Sequence, residues 1–464
     1  MSGLSRDLKK IIGKENVHAD PEDLLAYGGD ATYHHIKGRP QAVVTPITPD
    51  DVAGVVRYAS RKNIPVVPRG AGSGLSGNST AVKGGIMVDM KRMNRILNIN
   101  KGNFTAEVEA GAVLAPFHRT VEREGLFYPP DPQSMSVCTL GGNVSTRAGG
   151  PRGVKYGTTG NYVLGLEVVL PDGDIIRTGG SCVKQSVGYD LTHLYTGAEG
   201  TLGVITKVIT RLLPLPAEKK TIIMKCRTTE QAAVAVAEII SRGVVPAMLE
   251  FVSLGAIALM NTYIDPPLVP DGEAYLFIEL DGTLLQIREE AERIRTIGET
   301  LEVMETRVVE SKKEAATYWK ARSNLYPLLM SFLKKVIVED VTVPRDRIPA
   351  FVQAVEVISA ETGVAIGVSG HAGDGNMHPS ILMDDMSKEM EEKAQAAIRK
   401  IVSCGLELGG SISGEHGIGI HKAEFIIQEL GRRQVEVFKS IKQAIDPKGI
   451  MNPGKIWAEG EGTR

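Results

Sequence analysis

The chain has 464 residues, 42% of them hydrophobic and 23% charged, with a formal net charge of −2. This length predicts two or three domains rather than one core, and the nearly balanced charge argues against nucleic-acid binding. No apolar run is long enough to span a bilayer, Met1 to Lys14 lacks the apolar centre of a signal peptide, and the four widely spaced cysteines exclude a Cys-type zinc or iron–sulfur site, so we expect a soluble, reduced, cytoplasmic protein.

The first 124 residues alternate between short apolar strands and helices. Strands are predicted at 41–44, 65–67, 85–89 and 105–109, and helices at 6–12, 21–27, from 48 onward, and at 114–124. This order predicts an α/β domain without the regular repeats of a barrel.

A glycine-rich loop follows the strand at 65–67. Glycines tolerate positive φ and let a backbone approach a ligand closely, and successive N–H groups in such a loop suit a pyrophosphate. Gly72 to Gly77 matches G-x-G-x-x-G, but no helix follows, so a Rossmann site is not predicted. An ordinary surface turn remains open as an alternative. The candidate cofactor residues are Pro68, Arg69, Gly70, Ala71, Gly72, Ser73, Gly74, Leu75 and Ser76.

Two more regions of small residues lie at 130–157 and 197–205, separated by a predicted hairpin at 163–177. Three such regions in one α/β domain indicate a long, extended ligand. The candidate residues here are Pro132, Thr139, Gly141, Gly142, Asn143, Gly149, Tyr156, Gly157, Glu199, Gly200 and Ile205.

Beyond Pro214 the pattern changes to β-α-β-β-α-β. Strands are predicted at 221–226, 248–252, 275–280 and 303–309, with helices at 229–242 and 285–300. This order predicts an antiparallel ferredoxin-like sheet with helices on one face.

Four residues typical of metal sites and proton transfer lie late in the chain. His371 and His378 follow a predicted strand, and Glu415 and His416 come after a helix at about 387–408. Two histidines and a carboxylate are a common divalent-metal set, and the Gly-Asp-Gly turn would have to fold the histidines together. On an extended segment Glu415 and His416 would point to opposite sides. Buried histidines satisfied by hydrogen bonds remain an alternative at this point.

Three ordered segments, PRGAGSGLSG, LGGNVSTRAGGPRGVKYG and GAEGTLGVIT, resemble the FAD-binding domain of vanillyl-alcohol-oxidase-type flavoproteins. GHAGDGNMH and SGEHGIG resemble segments of the glycolate oxidase catalytic subunit and D-lactate dehydrogenase group. The resemblance implies an α+β fold: a two-subdomain FAD-binding domain (1–214), a ferredoxin-like antiparallel cap domain carrying a metal site (215–420), and a C-terminal helical segment (421–464) returning to the flavin.

The same resemblance implies roles for the small-residue loops. The first loop would hold the FAD pyrophosphate through backbone N–H groups, and Thr139, Gly142 and Asn143 would lie along the cofactor. Glu199 and Ile205 would lie near the adenosine end. Asn452, in a tail rich in proline and glycine, would lie beside the flavin ring or simply form a turn. Because the first loop has no His or Cys, we expect FAD to be bound non-covalently.

Carried over by position, the resemblance makes His371, His378 and Glu415 the ligands of a divalent metal, with zinc favoured over iron or manganese. His416 would take the proton of a substrate 2-hydroxyl, and the C2 hydrogen would leave as hydride to the flavin. Arg322 would bind the substrate carboxylate, although a solvated helix face would also explain an arginine there. Asp374 would shape the turn between the histidines.

Two positions depart from relatives that act on 2-hydroxyglutarate: Val338 stands where they carry lysine, and Ser380 where they carry asparagine. The expected substrate is therefore a small D-2-hydroxy monocarboxylate such as D-lactate or glycolate. Electrons would pass to an iron–sulfur subunit or an electron-transfer flavoprotein, with the chain a homodimer or part of a hetero-oligomer, peripheral to a membrane only through a partner. The alternatives are an oxygen-using oxidase, which would release hydrogen peroxide, a non-catalytic FAD subunit of an electron-transfer complex, and a metal-binding structural protein without flavin, which would be colourless.

Overall fold

The computed structural model describes residues 3–32, 38–265 and 267–458. Up to residue 214 the elements are α1 (Gly3–Ile12), β1 (Val17–His18), α2 (Pro21–Ala26), β2 (Ala42–Val44), α3 (Pro49–Lys62), β3 (Val66–Arg69), β4 (Ile86–Asp89), β5 (Ile96–Asn100), β6 (Thr105–Glu109), α4 (Leu114–Arg123), β7 (Leu126–Phe127), α5 (Leu140–Thr146), α6 (Gly153–Tyr156), β8 (Val163–Val169), β9 (Ile175–Gly179), α7 (Leu191–Tyr195), β10 (Val204–Arg211) and β11 (Leu213–Pro214).

The elements continue with β12 (Glu218–Cys226), α8 (Thr229–Ser241), β13 (Met248–Ser253), α9 (Leu254–Met260), β14 (Ala274–Gly282), α10 (Leu284–Thr300), β15 (Glu305–Val309), α11 (Lys312–Ser323), α12 (Leu325–Phe332), β16 (Lys335–Val338), β17 (Val341–Thr342), α13 (Ile348–Thr362), β18 (Ala365–His371), β19 (Asn376–Met383), α14 (Lys388–Glu407) and α15 (Ile426–Ile445). The chain divides into two compact units. The first contains Met1–Ala148, Thr158–Leu215 and Glu415–Arg464, and the second contains Gly149–Gly157 and Pro216–Gly414.

The first sheet of the first unit has the strand order β1-β2-β4-β3, with β2, β4 and β3 parallel. Helix α3 connects β2 to β3. Thr48 begins it with a capping box shared with Asp51, and its buried Val52, Val55 and Val56 recur at helical spacing. The loop after β3 therefore leaves the end of a parallel strand, where α/β proteins usually bind ligands.

The second sheet of this unit is antiparallel, with the order β5-β6-β10-β8-β9. The hairpin predicted at 163–177 is present as β8 and β9, and its turn has Gly173 at φ 90°. Two separate sheets, one largely parallel and one antiparallel, give this unit two subdomains.

One stretch of the first unit differs from the sequence prediction. Residues 140–146, treated as part of a glycine-rich loop, form helix α5, because the Thr139 side chain accepts a hydrogen bond from Gly142 N and caps the helix. Glycine content outweighed capping in that prediction. Helix α15 contains a kink at Gly431, whose φ of 73° lies outside the helical range.

The second unit contains an eight-stranded sheet of order β15-β12-β14-β13-β18-β19-β16, with β17 beside β19. Its first four strands, with α8 and α10, have the ferredoxin-like order, and every pair is antiparallel. This confirms the fold predicted for the region. The strands β16, β18 and β19, with α13 and α14, repeat the order strand, helix, strand, strand, helix, and β13 pairs with β18 to join the two sets.

One face of this sheet is covered by helices α9, α11 and α12, which the sequence analysis did not assign. Val252, Tyr275 and Phe277 from the sheet pack with Tyr318 and Leu325 from the helices in one buried cluster. Helix α11 is thus held against the sheet, and this placement determines the surroundings of Arg322. None of the helices in the described ranges is long and apolar enough to cross a membrane.

Candidate active site

The loop after β3 presents a run of unused backbone donors. None of the backbone N–H groups of residues 70–75 donates a hydrogen bond to any residue within the described ranges. Consecutive N–H groups of this kind form a concave site for an anion. The geometry of the loop therefore suits a phosphate group.

The Arg69 side chain supports the loop from the inside. It is buried, its Nη1 donates to Gly29 O at 2.8 Å, and its guanidinium lies 5.5 Å from the ring centre of Tyr27. A Cβ at Gly72 (φ 71°) would overlap this guanidinium. Any contribution of Arg69 to cofactor binding is therefore made by its backbone, while its side chain fixes the loop conformation.

The start of helix α5 lies against the same loop. A Cβ at Gly70 would overlap Thr139 Oγ1, the atom that caps α5, whereas a Cβ at Gly142 would meet no atom other than Thr139 Oγ1 within 4 Å among the described residues. Gly141 packs on Ala110 and donates to its carbonyl at 2.8 Å. Thus Gly70 and Gly141 serve protein packing, and Gly142 borders open space.

Glu199 joins three segments of the first unit. Its carboxylate accepts from Asn78 Nδ2 at 2.8 Å, from Ile418 N at 2.7 Å and from Gly419 N at 2.8 Å. Burial raises the pKa of the Glu199 carboxyl, and the three donors oppose that shift. Since these donors occupy the carboxylate, Glu199 ties the glycine-rich loop to the C-terminal segment.

Asn452 reinforces this junction. Its Nδ2 donates to Asn78 O at 2.8 Å and to Glu199 O at 2.7 Å. The side-chain Oδ1 atoms of Asn78 and Asn452 are buried and accept no hydrogen bond within the described part of the chain. Two free acceptors beside a loop of free donors are consistent with a ligand that carries hydroxyl and amide N–H groups, as FAD does.

The remaining predicted cofactor residues are divided between the units. In the first, Pro132 and Ile205 are buried, the hydroxyls of Ser73 and Ser134 are 3.5 Å apart, and Gly200 (φ 70°) lies against Pro68. Gly149, Tyr156 and Gly157 belong to the second unit. There, Tyr156 Oη donates to Asp281 Oδ2 at 2.7 Å. The structure thus gives the Tyr156 hydroxyl a partner within the protein.

In the second unit, a hairpin brings the two predicted metal histidines together. His371 ends β18 and His378 lies near the start of β19. Their ring centres are 5.0 Å apart, and both side chains are buried. Asp374 accepts from Asn376 N at 3.2 Å in the turn between them. The Gly-Asp-Gly turn therefore folds the two histidines together, as the sequence predicts.

Each of these histidines has one ring nitrogen engaged by a hydrogen-bond acceptor. Nδ1 of His371 lies 2.6 Å from Glu250 Oε1, and Nδ1 of His378 lies 3.1 Å from Glu339 O. A neutral imidazole that donates from Nδ1 keeps the lone pair on Nε2, which is the form that binds a metal.

Arg322 is buried rather than solvated. It is 4% exposed, and its Nη2 lies 2.7 Å from Oε2 of Glu250, which is fully buried. This contact is an ion pair without hydrogen-bond geometry, and Arg322 Nε has no hydrogen-bond partner in the described ranges. Burial alone would raise the pKa of Glu250, but His371 and Arg322 hold it below its usual value.

Asp340 anchors both histidine-bearing regions from a fully buried position. It accepts from Asn376 Nδ2 and from Ser413 Oγ, each at 2.7 Å. A Cβ at Gly414 would lie only 2.5 Å from Asn376 Nδ2. The course of the chain up to Gly414 is thereby fixed.

Glu415 and His416 follow Gly414 directly and open the last segment of the first unit. Both are partly exposed. Residues 414–416 form bends rather than an extended segment, so the expectation that these two side chains point to opposite sides, which assumed a strand, does not apply.

Two pairs of donors in the second unit have residue types suited to a divalent cation. Potential ligand atoms of His371 and His378 lie within 4.8 Å of each other, and a carboxylate oxygen of Asp340 lies within 4.8 Å of a ring nitrogen of His378. Imidazole nitrogen and carboxylate oxygen are ligands for zinc, iron and manganese.

The sequence analysis missed Glu250 and Asp340. Both lie within strongly apolar runs, Met-Leu-Glu-Phe-Val and Val-Ile-Val-Glu-Asp-Val. A carboxylate in a strand that is otherwise apolar enough to be buried needs a partner, because an unpaired buried charge is costly. That rule would have singled out both residues without showing what they contact.

Comparison with known proteins places these features in a family. Residues 40–179 match the FAD binding domain, and residues 215–456 match the C-terminal domain of FAD linked oxidases. The chain is 38% identical to the glycolate oxidase subunit GlcD of Bacillus subtilis (strain 168), covering 98% of both chains. It is 33% identical to a D-lactate dehydrogenase of Anaerostipes hadrus (97% of this chain, 94% of the relative) and 31% identical to a D-2-hydroxyglutarate dehydrogenase of Stutzerimonas stutzeri (strain A1501) (97% and 98%).

Solved structures show the same fold at low identity. p-Cresol methylhydroxylase matches with a TM-score of 0.82 at 18% identity, over 99% of this chain and 97% of the other. The 4-ethylphenol oxidase from Gulosibacter chungangensis matches with a TM-score of 0.79 at 20% identity, over 98% and 97%. The fold is thus the vanillyl-alcohol-oxidase type predicted from the sequence, and the chain belongs to the FAD-linked oxidase family of flavin-dependent oxidoreductases.

Proposed function

We propose that this protein oxidises a small D-2-hydroxy acid to the 2-oxo acid, with non-covalently bound FAD and a divalent cation. The observation that carries the proposal is the pair of buried imidazoles, His371 and His378, each with Nδ1 committed to an acceptor. In a flavin-dependent oxidoreductase, a cation held by such imidazoles would bind a substrate hydroxyl and lower its pKa. The names of the relatives, glycolate oxidase subunit and D-lactate dehydrogenase, agree with that chemistry.

His371, His378 and Glu415 would hold the cation. A cation held there would supply Lewis acidity, which lowers the pKa of a bound hydroxyl. His416 accepts the hydroxyl proton, since histidine titrates near neutral pH and follows Glu415 directly in the chain. Loss of the C2 hydrogen with both bonding electrons converts C2 to a carbonyl carbon, which is a ketone from D-lactate and an aldehyde from glycolate.

Arg322 binds the substrate carboxylate. Its buried Nε, without a hydrogen-bond partner in the described part of the chain, is a donor suited to an anion. Asp340 keeps the chain before Glu415 and His416 in place through Ser413.

The backbone amides of residues 70–75, which donate to no other group in the described ranges, would hold the FAD pyrophosphate. FAD accepts two electrons as a hydride and can release them singly. We infer that an iron–sulfur subunit or an electron-transfer flavoprotein takes them up, and that the reaction occurs in the cytoplasm.

A monocarboxylate substrate, D-lactate or glycolate, is favoured by Val338 and Ser380. These residues lie directly opposite each other on β16 and β19, and neither offers a positive charge for a second carboxylate.

Anaerobic bleaching of the bound flavin tests the proposal. D-lactate or glycolate should bleach the flavin absorbance within seconds, L-lactate should not, and prior removal of metal by a chelator should abolish bleaching until zinc or manganese is restored. Equal bleaching in metal-free protein, or bleaching by L-lactate alone, would contradict the proposal.

A further inference from the structure

The carboxylate of Glu250 contacts both a predicted metal ligand, His371, and the predicted substrate-binding residue, Arg322. Glu250 Oε1 lies 2.6 Å from Nδ1 of His371, and its other oxygen, Oε2, lies 2.7 Å from Nη2 of Arg322. Glu250 is fully buried, and both partners are less than 5% exposed. Because water does not reach the Glu250 carboxylate, the contacts with His371 and Arg322 define its function.

The register of the sheet produces this arrangement. Phe251 pairs with Gly370 and Val252 with Ser369, so Glu250 on β13 faces the same side as His371 on β18. Helix α11 covers that side through the cluster around Tyr318 and thereby brings Arg322 over the strand. Three different elements converge on one side chain.

We propose that Glu250 is a positioning residue that fixes the metal-binding imidazole and the substrate-binding guanidinium at the same time. The inference rests on the proposed function for the roles of His371 and Arg322. By accepting from Nδ1, Glu250 keeps the lone pair of His371 on Nε2. By pairing with Nη2, it compensates a buried cation and leaves Nε of Arg322 available for an anion.

His378 shows why a carboxylate is needed at this position. Its Nδ1 lies 3.1 Å from the backbone carbonyl of Glu339, so a neutral acceptor is enough to set the ring nitrogen. His371 uses a charged acceptor because the same group must also hold Arg322. The binding of the cation and the binding of the substrate carboxylate are thereby linked through one residue.

The test is the affinity of the FAD-loaded protein for zinc, measured without substrate by competition with a chromophoric chelator. Glu250→Gln should weaken zinc binding about 10- to 100-fold, as is usual for the partner of a metal-binding histidine. Arg322→Leu, which leaves Glu250 beside His371, should change zinc affinity less than threefold while raising the KM for the 2-hydroxy acid at least tenfold.

Glu279→Gln is the matched control. Glu279 lies on β14 on the same face of the sheet, is buried and pairs with Lys219 at 3.2 Å. Its variant should bind zinc like the unmodified protein. If Glu250→Gln fails to fold, Glu250→Gln combined with Arg322→Leu removes both buried charges together, and this double variant must also show the weakened zinc binding.

Unchanged zinc affinity in a folded Glu250 variant would overturn the inference while leaving the proposed function intact. Absence of binding of both zinc and manganese by the unmodified protein would instead contradict the proposed function, so the two failures are distinguishable.

Discussion

Val338 and Ser380 are direct partners across the antiparallel pair β16–β19, and Ser380 lies two residues from His378 on the same face of the sheet. The two positions at which this sequence departs from 2-hydroxyglutarate-oxidising relatives are therefore adjacent in the structure. Their joint replacement is expected to act as a unit.

The double variant Val338→Lys/Ser380→Asn should shift preference toward a substrate with two carboxylates. A partly desolvated lysine beside the site would pair with the second carboxylate, and such pairing stabilises the complex by about 1–3 kcal/mol, or roughly 5- to 150-fold in kcat/KM. The ratio of kcat/KM for D-2-hydroxyglutarate and D-lactate measures it. The uncharged variant Val338→Leu/Ser380→Ala should leave the ratio unchanged, and an equal shift there would contradict the charge argument.

Replacement of His416 by alanine should nearly abolish reduction of the flavin while FAD remains bound. General-base catalysis contributes about 10²- to 10⁴-fold, so the rate of anaerobic bleaching should fall by that factor. His193→Ala, at a partly exposed histidine that bonds Asp190, is the control. A His416 variant that reduces its flavin at the normal rate would remove this residue from the mechanism.

Gly70→Ala should weaken FAD retention. The added Cβ would overlap Thr139 Oγ1, which caps α5, and relieving such overlap costs about 1–3 kcal/mol. FAD content after gel filtration, and the dissociation constant from flavin fluorescence, should show affinity at least about tenfold lower. Gly180→Ala, whose Cβ meets no atom of the described residues within 4 Å, should retain FAD normally.

Asp340→Asn should destabilise the protein and reduce turnover. The amide would direct a donor toward either Asn376 Nδ2 or Ser413 Oγ, both donors to the present carboxylate, and such a mismatch costs about 1–3 kcal/mol. Denaturant unfolding would show the loss. The exposed Asp346→Asn is the matched control, and equal stability of the two variants would count against an anchoring role.

Because the Lys455 side chain is buried, we expect the stability of the protein to depend on pH. Lys455 is 2% exposed, donates to Thr80 O at 2.7 Å, and burial lowers its pKa to about 8 from its ordinary value. Below about pH 8 the Lys455 side chain is charged in both the folded and the unfolded state, and burial of that charge destabilises the folded state. As pH rises from 8 toward 10, the unfolded chain holds more protons, so the contribution of Lys455 to stability becomes more favourable.

The difference in unfolding free energy between the unmodified protein and Lys455→Met should therefore move in favour of the unmodified protein between pH 8 and pH 10, by up to about 3 kcal/mol. Exposed Lys184→Met serves as the reference variant. A difference that stays constant, or moves the other way, would show that burial does not control this group.

Much of the fold followed from local patterns. The period of apolar residues located α8, α10 and most strands to within a few residues, and the ferredoxin-like order of β12 to β15 was apparent before any pairing was known. Helix α5 was missed because two adjacent glycines were given more weight than the Thr139 cap. The hydrogen bond from Gly142 N to Thr139 Oγ1 at the start of this segment outweighs the low helix propensity of the two glycines.

The residue types of the site were predictable from the sequence, but the contacts between those residues were not. His371 and His378 could be singled out because glycine-rich turns surround them, and their approach followed from the turn. Nothing local indicated that Arg322 would be buried against Glu250. That contact depends on the pairing of β13 with β18 and on the packing of α11, which are long-range consequences of the whole sheet.

The pairing of β13 with β18 also has a consequence for assembly. Glu250 and Arg322 come from the first set of strands and helices, whereas His371 and His378 come from the second. A slip of one residue along β13–β18 would turn Glu250 to the other face and leave two intact but unconnected half-sites. Tight metal binding would then report that the two sets of strands have been joined in the correct alignment, so it can serve as an assay of assembly in hybrids of related chains.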